Sequence, residues 1–302
     1  MLTPALLVAV ALVQPSEPAA AVSPPASAAA VPAVAERAPL PPDEPTGDFS
    51  SAGELLARLE TAGADLRTFT ADIQYSKTFA AIQGGDQQVR RGKLYYEVRP
   101  GGAAKDAAPI KVFSVIFDTL IVDGAVRPTQ RHFIFNGTHL IERDLTEKQF
   151  LKRRVVKPGD RIDPLRLGEG PFPLPIGQKK AEILARFDAR LLSDRTGWDG
   201  PMPKPLEGTV QLYLVPKPGT PEARDFDEVR IWYRTSDLLP RFARTSTPAG
   251  AQSEVLLINL AANTKLDAKV FDAEPPAEPG WQVDIREEFR GMDERIEAPR
   301  KK

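Results

Sequence analysis

The sequence contains no cysteine, which excludes disulfides, thiolate metal sites, cysteine nucleophiles and any lipid anchor attached through a thiol. Histidine is nearly absent too. The two that occur, His132 and His139, flank one predicted turn, and no HExxH or clustered acidic spacing supplies a third metal ligand. They read as ordinary hairpin residues, so no metal and no cofactor is expected. There is no G-x-S-x-G nucleophile turn. The chain also lacks an excess of either charge: 40 Lys and Arg against 41 Asp and Glu leave a net charge of -1. Such a balance gives no general pull toward nucleic acid or anionic lipid.

The remaining polar motifs fare no better as catalytic candidates. Glu287-Glu288 would point to opposite faces of a strand. GEGPFP, from Gly168, has the wrong spacing and too much proline to present backbone N–H groups to phosphate. The basic residues 152–154 have no interleaved aromatic platform and read as a solvated strand edge. Asn136-Gly137-Thr138 is formally a glycosylation sequon, but a hairpin turn explains it fully. The expectation is a protein that is not an enzyme and binds no nucleic acid.

Apolar residues at 42% and charged residues at 27% suit a globular chain. Leu6–Val13 (LLVAVALV) has the length of a signal-type apolar core and falls short of the ~20 residues a membrane span needs. Small residues follow at Ala19-Ala20-Ala21, although residues 1–5 carry no basic side chain. Residues 1–14 are therefore read as a signal-type segment and the protein as periplasmic or otherwise exported, tethered to the membrane if uncleaved. Residues 15–48 are rich in proline and alanine and are read as a flexible linker. A folded domain at 49–289 and a charged flexible tail at 290–302 complete the division.

Inside that domain, Ser51 with Glu54 forms a capping-box pattern, and Leu55, Leu59, Ala62 and Leu66 recur at helical spacing. The period then switches to two. Phe69, Ala71, Ile73 and Tyr75 alternate with Thr70, Asp72, Gln74 and Ser76, the mark of a half-buried antiparallel strand. Leu94, Tyr96 and Val98 share a face of the next strand, and Lys111–Val122 is rich in β-branched and aromatic residues. His132–Phe135 and Thr138–Ile141 flank the Asn136-Gly137 hairpin signal. Further strands are expected at Thr209–Val215, Val229–Arg234, Phe242–Thr245, Glu254–Leu260 and Trp281–Phe289. A second helix is expected at Gln178–Leu191, with Ile183, Leu184, Phe187 and Leu191 as its stripe. Before it, Phe172, Leu174 and Ile176 look buried in a stretch too rich in Gly and Pro for regular structure. No strand–helix alternation calls for a parallel sheet.

Four segments in order carry a resemblance. ELLARL (54–59) and LRTFTADIQYS (66–76) come first, followed by RRGKLYYEVRP (90–100). FIFNGTHLIERDLTEKQ (133–149) and INLAANTKLDAKVFDAEPP (258–276) complete the set. Together they are similar to the LolA-like family of lipoprotein carriers. That resemblance implies an α+β fold: a curved antiparallel sheet, an open half-barrel, with helices covering its concave face. It further implies that the cavity takes acyl chains of lipoproteins or lipids, and that the partners include inner- and outer-membrane sorting components. A monomer is expected. The arginine before the family's proline maps onto Arg99 and is implied to bond across to the helical lid; an exposed charge at a strand end is the alternative. The chain departs from the family pattern in the insertion after Arg99-Pro100 and in the long Pro-rich segment before the second helix.

An antiparallel sheet of this extent carries more apolar side chains on one face than two short helices can cover. Candidate lining residues are Leu94, Tyr96, Phe113, Phe117, Phe133 and Phe135, with Ile183 and Phe187 from the lid; core packing is the alternative for each. Carrier and non-catalytic envelope sensor or scaffold both remain open.

Overall fold

Alternation of apolar and polar side chains dominates the chain from Thr68 onward, and it builds one sheet. The computed structural model describes residues 39–101, 108–160, 162–167 and 176–289. The signal-type segment, most of the linker, most of the insertion after Pro100, Phe172 and Leu174, and the charged tail lie outside the described residues.

Helix α1 (Ala52–Ala64) starts where Ser51 Oγ accepts the Glu54 N–H at 3.3 Å. The reciprocal half of the cap is displaced by one residue: the Glu54 carboxylate accepts from the backbone N–H and hydroxyl of Ser50, at 2.9 and 2.7 Å. Those bonds hold the Glu54 carboxyl below its ordinary range, the Ser50 backbone contributing most. Strands β1 (Thr68–Thr78), β2 (Gln87–Arg99), β3 (Ile110–Val122), β4 (Ala125–Phe135), β5 (His139–Asp144) and β6 (Gln149–Arg154) follow as a meander. Helix α2 (Lys180–Arg186) leads into β7 (Phe187–Leu192) and β8 (Thr209–Pro216). After the single-turn helix α3 (Glu222–Asp225) come β9 (Glu228–Arg234), β10 (Pro240–Ser246), β11 (Gln252–Ala262) and β12 (Gln282–Arg286).

The twelve strands lie in the order β12-β6-β5-β4-β3-β2-β1-β11-β10-β9-β8-β7, an open arrangement with β12 and β7 at its edges. Two expectations need correction. The sheet is mixed, because β12 runs parallel to β6, with Gln282 opposite Gln149 and Arg286 opposite Arg153. β12 arrives through the long stretch after β11 and not through a tight turn, so no hairpin forces it to be antiparallel. The helix expected at Gln178–Leu191 ends at Arg186; Phe187 and Leu191 belong to β7, where Phe187 pairs with Pro216 and Leu191 with Leu212.

Residues 41–44, assigned to the linker by composition, lie along β7. Glu44 N–H donates to Leu191 O at 2.8 Å, and Asp43 Oδ1 accepts the Leu191 N–H at 2.7 Å. Glu44 also accepts from Ser193 N–H and the Thr196 hydroxyl at 2.9 and 2.7 Å, which together hold its carboxyl below its ordinary range. The segment thus satisfies polar groups that an edge strand would otherwise leave open.

Core residues divide by sheet face. The main cluster takes Leu55, Leu56 and Leu59 from α1, Ile183 from α2, and one alternating set from β1 through β11. The opposite face carries two small clusters. Ile134, Ile141 and Phe150 pack under Trp281, while Leu206, Trp232 and Phe242 pack with Trp198 and Met202. Two glycines permit close backbone approach. A Cβ on Gly63 in α1 would lie 2.2 Å from Gly177 Cα, just before α2, and one on Gly92 would lie 1.9 Å from Ile116 O.

Candidate functional site

The main sheet face is assembled row by row from strand register. Phe69, Tyr96, Phe113, Phe135 and Leu140 stand side by side across β1 to β5. Their rings follow one another, Phe69 to Tyr96 at 5.2 Å and Phe113 to Phe135 at 6.0 Å, both stacked. The next row holds Ala71, Leu94, Val115 and Phe133. Beyond it come Ile73, Gly92, Phe117 and Arg131, with Asp144 opposite Arg131 on β5. Phe117 meets Phe133 edge-on at 6.0 Å, and it approaches Tyr75 to 6.5 Å across β2, where Gly92 puts no side chain between the two rings. Offset and edge-on geometries of this kind are the favourable ones for aromatic pairs.

Eight of the nine residues singled out from the sequence therefore come together. Leu94, Tyr96, Phe113, Phe117, Phe133, Phe135, Ile183 and Phe187 all belong to the main cluster, each with an exposure of 0–2%. Ile183 comes from α2, whereas Phe187 comes from the edge strand and not from a lid helix. Arg99 does not join them. The alternation that turns Leu94, Tyr96 and Val98 inward turns Arg99 to the other face of β2. There its Nε bonds Glu97 Oε2 at 2.7 Å, and its guanidinium stacks 4.9 Å from the ring of Phe271 in the turn Ala268–Phe271. The bond to a lid helix implied by the resemblance is replaced by these two contacts.

No family model and no curated protein matches the sequence. Solved structures do match. The chain is similar to LolA-superfamily structures. A LolA superfamily protein from Nitrosomonas europaea is 10% identical, with a TM-score of 0.27 over 74% of this chain and 98% of the other. A conserved protein from Thermus thermophilus is 14% identical, with a TM-score of 0.39 over 78% of this chain and 99% of the other. In the Pseudomonas aeruginosa MucA/MucB complex the match is 12% identical with a TM-score of 0.37, over 74% of this chain and 61% of that one.

The polarity of the face changes along the strands. At the Phe69–Phe135 end, burial pushes the Tyr96 hydroxyl far above its ordinary range, and the charge of Asp163 adds to the effect. Tyr96 is therefore a neutral phenol, and Asp163 is itself paired with Lys111. At the Tyr75 end, two arginines, Arg90 and Arg131, share the face with the apolar rows. Arg131 Nε lies 3.4 Å from Asp144 Oδ2, and its guanidinium sits 5.7 Å from the centre of Phe133. Nothing in the sequence reading singled out these two residues. The signal was present: Arg90 shares parity with Leu94 and Tyr96, as Arg131 does with Phe133 and Phe135.

Among the described residues no group of three or more His, Asp or Glu side chains is placed to hold a metal ion, and no helix is long and apolar enough to cross a membrane. His139 serves the fold. Its Nε2 lies 3.1 Å from Glu287 Oε2, which also accepts from Arg154 at 2.9 Å, so Glu287 ties the segment after β12 to β5 and β6. The Glu287 carboxyl is held below its ordinary range, chiefly by the His139 contact.

Proposed function

We propose that this protein is a non-catalytic, exported binder that receives the acyl chains of a lipoprotein or lipid against the aromatic face of its sheet and carries them across the cell envelope. The observation that carries this reading is the unbroken run of Phe69, Tyr96, Phe113, Phe135, Leu94, Phe133 and Phe117 on one face. In the closed arrangement those side chains are buried, and on this reading α1 moves to admit a chain. Uncovering Leu55, Leu56 and Leu59 costs about 5–9 kcal/mol, at roughly 1.5–3 kcal/mol per side chain. Each acyl methylene buried returns about 0.8 kcal/mol, so a chain of about a dozen methylenes offsets the opening. A shorter chain does not, which gives the site a length threshold. Because gain and cost nearly balance, the grip is reversible, as transfer demands.

Mass spectrometry of organic extracts from protein purified without detergent tests the proposal. Acyl species near one per protein are expected. Empty protein that also takes up no added long-chain acyl probe would overturn the reading.

A second reading, a sensor or scaffold that docks an extended polypeptide, has its own observation. β12 is an edge strand paired on one side only, with Val283 and Ile285 45% and 48% exposed. An edge of that kind accepts an added strand. Peptide binding lost on introducing proline at Asp284, with acyl uptake unchanged, would favour it.

A further inference from the structure

Among the described residues three arginines are nearly inaccessible: Arg90 at 5%, Arg153 at 3% and Arg241 at 4% exposure. Arg153 bonds Glu142 Oε1 at 2.9 Å, and Arg241 is paired with Asp237. Arg90 differs. Among the described residues no hydrogen bond or ion pair reaches its guanidinium. The titratable groups that act on it are Arg131 and Tyr75, and no carboxylate is among them. Burial, followed by the charge of Arg131, lowers its pKa from the ordinary value, though an arginine remains protonated.

Arg90 keeps only a residual contact with solvent and has no counter-ion among the described residues, and a cation so largely withdrawn from water is costly for a fold to carry. Its location narrows what could compensate it. Arg90 stands opposite Tyr75 on β1 and one inward position from Gly92, where the missing side chain leaves Tyr75 and Phe117 facing each other. Arg131 lies in the same row as Phe117 and stacks over Phe133. Asp144 pairs with Arg131 and leaves Arg90 without a carboxylate at this end of the aromatic face. The local excess is one positive charge, walled by apolar rings.

We propose that Arg90, assisted by Arg131, binds the oxyanion headgroup of a single-chain amphiphile whose hydrocarbon tail lies along the Phe117–Phe133–Phe135 side of the sheet. The inference rests on the acyl-binding reading and adds a ligand class and an orientation to it. A planar guanidinium offers a fork of N–H donors that matches a carboxylate or a phosphate oxygen pair. The tail is held by area and the head by charge, so the ligand enters tail first toward Tyr96 and stops with its anion at Arg90.

The test compares palmitate with methyl palmitate, which keeps the tail and removes the charge. Wild-type protein should bind palmitate about 10- to 100-fold more tightly, the factor that a hydrogen bond to a charged group supplies. Arg90→Met should abolish that preference, retain binding of the ester, and melt at the same or a higher temperature, because an uncompensated buried charge has been removed. Equal binding of acid and ester by the wild type would overturn the inference and leave acyl binding standing. Failure to bind either would remove both. A marked loss of stability in Arg90→Met would mean that the fold itself satisfies Arg90, which also overturns the proposal. Inorganic phosphate at millimolar concentration should not displace palmitate. Full displacement would assign the site to a free oxyanion and not to a lipid head.

Discussion

Leu55→Ala separates a lid from an ordinary core helix. Leu55 is 0% exposed in α1 and packs in the main cluster, whereas Leu206, also 0% exposed, packs against Trp232 and Phe242 on the opposite face. Either leucine truncated to alanine should lower stability by about 2–5 kcal/mol. For a domain of this size that corresponds to roughly 4–20 °C in melting temperature. The two variants should part company in ligand affinity. If α1 must swing aside, deleting the Leu55 side chain lowers the opening cost by up to about 1.5–3 kcal/mol. Apparent affinity for a fluorescent long-chain fatty acid then rises by as much as about 10- to 100-fold, because a larger fraction of molecules is binding-competent. Leu206→Ala, equally destabilised, should show no gain. The assay is fluorescence titration with parallel thermal melts. Equal affinity in the wild type and Leu55→Ala, or an equal gain in Leu206→Ala, would refute the idea that α1 is the moving cover.

Three further outcomes follow from local geometry. Gly92→Ala places a Cβ 1.9 Å from Ile116 O, so β2 must shift; a loss of about 1–3 kcal/mol or more is expected in denaturant unfolding. Asn136→Ala removes the acceptor for the Thr138 and His139 N–H groups, at 3.1 and 2.9 Å, and should cost about 1–2 kcal/mol. His132 is held below its ordinary pKa by burial and by the charge of Arg143, so the unfolded chain protonates first as pH falls. The neutral imidazole contributes stability in full above about pH 6.5, and that contribution is lost below it. Stability should therefore decline from pH 7 to 5 in the wild type and decline less in His132→Gln; parallel curves would contradict the assignment.

Period-two alternation made most of the aromatic face legible in advance, because in a strand the parity of a residue is its address. Leu94 and Tyr96 are placed by that rule, Phe113 and Phe117 by a run rich in β-branched and aromatic residues, and Phe133 and Phe135 by the strand that flanks Asn136-Gly137. The same rule misled at Phe187 and Leu191. A spacing of four satisfies both a helical turn and two strand repeats, and only the pairing of Phe187 with Pro216 decides between them. The basic residues 152–154, read as a solvated strand edge, lie instead in β6 between β5 and β12, with Arg153 buried; Gln149–Arg154 holds two apolar side chains beside three basic ones, and no local pattern reveals its partners. Arg99 takes the strand-end alternative and not the role implied by its motif position, and Arg90 went unnoticed, although parity addresses both. Parity sends Arg99 to the outer face and keeps Arg90 with the apolar rows.

The order of strands has a consequence for how the chain acquires its shape. β1 pairs on one side with β2, its neighbour in sequence, and on the other with β11; at that seam Arg67 bonds Asn263, 196 positions away. Apart from β12, each wing is a run of antiparallel strands paired with their neighbours in sequence, which can form quickly, but zipping the wings together waits for both. A polypeptide arrested before Gln252 would leave β1 as a raw margin of unclaimed amides beside Phe69 and Tyr75, a ready nucleus for clumping. The time until β11 emerges is thus the hazardous interval in this protein's biogenesis.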